Sequence, residues 1–75
     1  MLYVNNSTLY FDEAFEHAAN TDEVQYLFLV GLTVVNAGAY YKPVHLAVAD
    51  GIATVTLIGA DGNKVAVKSV AVETE

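Results

Sequence analysis

Two histidines and nine carboxylates are the residues of this 75-residue chain most suited to chemistry. Five of the carboxylates gather early, at Asp12, Glu13, Glu16, Asp22 and Glu23, around His17. Glu13 and His17 stand four apart, so on a helix they share a face and offer two ligands to a metal. A metal needs a third and a fourth ligand, and the sequence holds neither an HExxH pattern nor any Cys/His cluster. Paired carboxylates do acid–base work inside an enclosing pocket that shifts their pKa values, and nothing in the pattern points to one. His17 and His45 have no Ser or Asp at a spacing that suggests a triad. The five glycines are scattered singly, so there is no phosphate-cradling loop. Lys42, Lys64 and Lys68 fall in strand or turn contexts unlike those of a buried nucleophile. The expectation is a protein that is not an enzyme, with no catalytic residue, cofactor or metal. The acidic set reads as a solvated helix face, or more sharply as a docking surface for a basic partner.

Composition narrows the partners. The net charge is −6, from nine acids against three lysines and no arginine. Nucleic-acid binders neutralise phosphates with Lys and Arg, so direct DNA or RNA binding is not expected. Without arginine there is also no bidentate clamp for phosphate or carboxylate ligands. No cysteine is present, which excludes disulfides and thiolate metal sites. The N-terminal MLYVNNSTLY has neither the basic region nor the apolar core of a secretory signal. The longest apolar run is too short to cross a membrane, which takes about 20 residues. The expected setting is cytoplasmic, or a particle assembled in the cytoplasm.

The elements that must position these residues start from that run, Glu23 to Val35 (EVQYLFLVGLTVV). Read with period two, Val24, Tyr26, Phe28, Val30, Leu32 and Val34 form one wholly apolar face, rich in strand formers. Read as a helix over 22–36, Asn20 or Thr21 caps its start ahead of Asp22 and Glu23. Gly31 and the β-branched residues weigh against the helix. The strand is preferred because a loop of Asn36, Ala37 and Gly38 pairs Val30 with Val44, Phe28 with Leu46 and Tyr26 with Val48, all apolar on one face.

Before this run, Met1–Val4 and Thr8–Phe11 are short β-prone pieces around an Asn5-Asn6-Ser7 turn. Asp12 to Asn20 reads as a short helix, with Phe11, Ala14, Phe15 and Ala18 on its apolar stripe and Phe11 and Phe15 as anchors. After it, Ala39 to Ala49 is a strand made irregular, or unpaired on one side, near Pro43. Asp50-Gly51 is a two-residue hairpin turn that pairs Val48 with Ala53, Leu46 with Val55 and Val44 with Leu57. At Asp61-Gly62-Asn63 a three-residue loop pairs Leu57 with Val67 and keeps Lys68 off the core face. A bulge at Lys68-Ser69 would return Val70 and Val72 to the core, and Glu73-Thr74-Glu75 would discourage edge pairing.

The expected architecture is therefore α+β and a single domain over 1–75. It is an antiparallel meander of about four strands (24–35, 39–49, 52–59, 64–72) with a helix (12–20) packed on one face. The alternatives are a small β-barrel, or a helix over 22–36.

With 55% hydrophobic residues, the chain carries more apolar surface than so small an interior can hold. The expected function is an assembly or protein–protein interaction module acting as a homo-oligomer or on a protein scaffold. By composition it suits a small capsid-decorating virion component. The alternative is an acidic antagonist that blocks a partner through Asp12, Glu13, Glu16, Asp22 and Glu23. The expected interface residues are Leu27, Leu29, Tyr40, Tyr41 and Ile58, because tyrosine is a preferred anchor and the second sheet face is too apolar for water.

Overall fold

The computed structural model describes residues 1–72. In chain order the elements are β1 (Leu2–Asn5), β2 (Thr8–Tyr10), α1 (Thr21–Val30), β3 (Val34–Asn36), β4 (Ala39–Ala49), β5 (Ile52–Gly59) and β6 (Lys64–Lys68). The six strands close into a mixed barrel in the order β1-β2-β6-β5-β4-β3. Hairpin neighbours pair antiparallel, and the two contacts that close the barrel, β1 with β3 and β2 with β6, are parallel. This replaces the four-strand meander with a helix on one face.

The first correction concerns 24–35. Asn20 caps a helix there: its side chain accepts from the Glu23 N–H at 2.9 Å, and the Glu23 carboxylate accepts from the Asn20 N–H at 3.0 Å. That capping box satisfies donors the helix start would otherwise leave bare. Gly31 does not interrupt the helix but ends it, at φ 118°, with its N–H bonded to the Leu27 carbonyl. The pairs expected between Tyr26, Phe28, Val30 and β4 do not form. Only Val34–Asn36 pairs with β4, with Val34 opposite Tyr41 and Asn36 opposite Ala39. The turn is the two residues Ala37 and Gly38, both at positive φ, so even here the register is one residue from that expected.

The second correction concerns 12–20, which is not helical. Asp12 Oδ1 accepts the N–H groups of Glu16 and His17, both at 3.0 Å, and Phe15 sits at φ 59°. A side chain that captures backbone donors in this way competes with a helix. Ala18 then bridges Tyr10, and the Ala19 N–H reaches the Leu9 carbonyl at 2.9 Å, so the segment lies along β2. Phe11 and Phe15 stay exposed and do not anchor a helix; Ala19 is the buried residue.

The hairpins follow the expected chemistry more closely. Asn6 and Ser7 turn β1 into β2 with Tyr3 opposite Tyr10. Asp50 and Gly51 turn β4 into β5, with Val48 opposite Ala53 and Leu46 opposite Val55. Beyond Leu46 the register breaks between Pro43 and His45, and Pro43 rather than Val44 faces Leu57. The β5–β6 loop does have three residues, closed by a bond from the Gly59 N–H to the Asn63 carbonyl, but it starts one residue early. Leu57 therefore meets Val65, and Val55 meets Val67, which preserves the faces. No bulge returns Val70 to the core. Ser69 is buried in its place, and Val70 bridges Asn20 at the surface. The expectation for Glu73-Thr74-Glu75 lies outside the described residues.

The interior takes Leu2, Leu9, Val34, Ala53, Val55, Leu57 and Val67 from five strands, with Ala19, Val24 of α1 and Leu32. Each leucine or valine among them contributes about 1.5–3 kcal/mol by leaving water. Leu27, Phe28, Tyr41 and Leu46 pack half-buried against this cluster.

Candidate functional site

The residues with the most reactive side chains lie on the tight turn 11–17. The Phe11 N–H closes the turn on the His17 carbonyl at 2.8 Å, and the rings of Tyr10 and Phe15 meet edge to face with centroids 5.5 Å apart. Among the described residues one trio of potential metal ligands converges, Asp12, Glu16 and His17, with ligand atoms within 4.8 Å of one another. The pair suggested by spacing, Glu13 with His17, is not part of it. Glu13 instead accepts a hydrogen bond from the Tyr3 hydroxyl at 3.3 Å. Burial, then the charge and hydrogen bond of Glu13, raise the Tyr3 phenol above its ordinary pKa. Asp12 moves the other way. The His17 N–H, the Glu16 N–H and the charge of His17 hold its carboxyl below the ordinary value, against a smaller desolvation effect. Asp12 is thus already occupied as an acceptor that shapes the turn.

The acidic set does not form one surface. Asp12, Glu13 and Glu16 ride on the turn, whereas Asp22 and Glu23 belong to the first turn of α1. Glu23 is engaged in the capping box. An open apolar groove lies against the start of α1, lined by Phe11, Tyr26 and Leu27 with Asp22 and Glu23 and with none of the three turn acids.

The five expected interface residues also divide. Tyr40, Tyr41 and Ile58 come together around a groove that includes Thr33, Lys42 and Gly59. Tyr40 is 66% exposed, while Tyr41 packs against the core. Leu27 and Leu29 lie on α1 rather than on a sheet face. Leu27 points to the core cluster, and Leu29 is 83% exposed, on an outer helix surface it shares with Tyr26 and Val30.

One feature was missed in the sequence. Closure of the barrel uses only Ala39–Tyr41 of β4 on its β3 side. From Lys42 to Ala49, β4 is paired to β5 alone, and no hydrogen bond among the described residues reaches its other edge. Val44 and Val48 along it are 50% and 47% exposed. The irregularity signalled by Pro43 was a partial sign of this edge. Its length depends on how short β3 is, and β3 is short because α1 takes the residues before it.

No helix among the described residues is long and apolar enough to cross a membrane. Comparison with known proteins gives no match: no family model, no curated protein and no solved structure resembles the chain.

Proposed function

We propose that the protein is a non-enzymatic interaction module that works by associating with copies of itself, in the cytoplasm or on a particle assembled there. The observation that supports this reading is the large side chains left in water after the core is full. Leu29 is 83% exposed beside Tyr26 and Val30 on α1, and Tyr40 is 66% exposed beside Ile58. Apolar surface of this kind, on a chain of 75 residues, marks a contact surface. Coating a larger scaffold such as a capsid is the form of assembly that the composition suits. The test is native mass by light scattering behind a sizing column, at low and high salt. A discrete oligomer that resists salt is the expected result; a monomer at all concentrations overturns the reading.

A second reading, an acidic module that blocks a basic partner, is favoured by the Phe11–Tyr26–Leu27 groove with Asp22 and Glu23 at its margin. It predicts partner binding that weakens steeply with salt and with E13Q, E16Q and E23Q together. Binding indifferent to both removes it.

A further inference from the structure

We propose that the groove between the turn 11–17 and the β3–β4 turn binds a small quaternary ammonium compound, with a trimethylammonium head of the choline type. The site goes beyond both functional readings above and does not depend on self-association.

The strand register builds the floor of this groove. Tyr3 stands opposite Tyr10 across β1–β2 and opposite Val35 across β1–β3, and Val35 stands opposite Tyr40 across β3–β4. Residues paired in this way point to one face. Their chain neighbours Leu2, Leu9 and Val34 are buried, so the row Tyr10–Tyr3–Val35–Tyr40 lies on the outside of the barrel. Above the row the turn holds Phe15. Its φ of 59° is an outlier for a bulky residue, yet 41% of Phe15 is exposed, so core packing does not account for that conformation. The conformation sets the Phe15 ring edge to face with Tyr10. With Glu13, Phe15 walls the groove, which Tyr3, Val4, Val35, Ala37 and Gly38 complete.

The lining selects the ligand. Aromatic rings attract cations, and the groove adds a carboxylate, Glu13, with no Lys, Arg or His side chain beside it. The net charge of −6 draws cations toward the molecule. Hydrogen-bonding capacity narrows the kind of cation. The lining side chains other than Glu13 are aromatic or aliphatic, and Glu13 already accepts from the Tyr3 hydroxyl at 3.3 Å. A guanidinium or a primary ammonium brings several N–H donors that such a lining leaves unmatched, whereas a quaternary ammonium brings none. Tyr3 and Val35 are each paired on both sides, so an extended peptide finds no free strand edge to join at the floor. That favours a small molecule.

The test is a titration of the full chain with choline chloride at constant ionic strength, followed by the ring-proton resonances of Tyr3 and Phe15. Those resonances should shift and saturate with a Kd on the order of 1 mM. The uncharged isostere of choline, in which a tert-butyl group replaces the trimethylammonium, should bind about tenfold more weakly. E13Q should weaken choline by about threefold or more and leave the isostere unchanged, because it removes charge and keeps shape. F15L should weaken choline by a similar factor by removing the ring. Circular dichroism checks that both variants fold; Glu13 is exposed, so E13Q decides should F15L fail to fold. Equal affinity for choline and its isostere, no saturation by about 50 mM choline, or choline binding indifferent to E13Q overturns the site. A trimethyl-lysine peptide that binds more than about tenfold tighter than choline overturns the assignment to a small molecule.

Discussion

The hydroxyl oxygens of Thr21 and Ser69 meet 2.9 Å apart inside the protein, joining residues 48 positions apart. Thr21 also donates to the Gly51 carbonyl, and Ser69 Oγ accepts from the Ala53 N–H at 3.0 Å. One buried polar pair thus ties the start of α1 to the β4–β5 turn, the start of β5 and the chain beyond β6. Thr21→Val should cost about 2 kcal/mol, because it strands a carbonyl and a hydroxyl. Ser69→Ala should cost a similar amount by stranding the Ala53 N–H. Since the two share one network, the double variant should lose less than the sum, by at least about 0.5 kcal/mol in urea unfolding.

Leu27 and Leu29, two positions apart in the apolar run, should separate on mutation. Leu27→Ser removes a side chain packed on the core and should destabilise the fold by about 2 kcal/mol or more. Leu29→Ser should leave the melting temperature nearly unchanged. If Leu29 contributes to assembly, the mass in solution should fall while the circular dichroism spectrum stays the same.

Ala37 occupies the first position of the β3–β4 turn at φ 52°, followed by Gly38 at φ 80°. Alanine in the left-handed region costs about 1 kcal/mol, which asparagine and glycine largely avoid. Ala37→Asn should therefore raise stability by up to about 1 kcal/mol in thermal melts, and Gly38→Ala should lower it.

Gly59 is held without a side chain by its neighbours. A Cβ there would lie 2.9 Å from Tyr41 Cε2 and 3.0 Å from Asp61 Oδ1. Gly59→Ala should cost about 1–3 kcal/mol by driving the Tyr41 ring from its packing. Tyr41→Ala combined with Gly59→Ala should cost less than the two changes summed.

Asp12 gives the turn 11–17 an acid-sensitive support. Its carboxyl is held below the ordinary value of 3.8, chiefly by the His17 N–H. A lowered folded-state pKa adds stability that is fully present above the unfolded value and is lost as pH falls through the folded one. Melting temperature followed from about pH 5 to about pH 2.5 should drop less steeply in Asp12→Asn, which keeps an acceptor oxygen but no titrating group.

The turn chemistry of this chain is written in the sequence, because it depends on residues within a few positions. Asn6-Ser7 and Asp50-Gly51 specify their hairpins, and the alternation of Ala53, Val55 and Leu57 specifies the buried face of β5. The Asn20/Glu23 cap is equally local, and it pointed to the helix that the apolar alternation of 24–35 obscured. Apolar at nearly every position, that run fits a buried strand and a helix alike, so its own pattern could not decide. Tertiary structure decided it. Leu2 pairs parallel with Val34, and Thr8 with Lys68, contacts between distant segments that close the barrel and leave Val24–Val30 to serve as a helix against the core. The same closure left β4 open from Lys42 to Ala49. No spacing within one strand reveals that edge, because it exists only where the neighbouring strand stops.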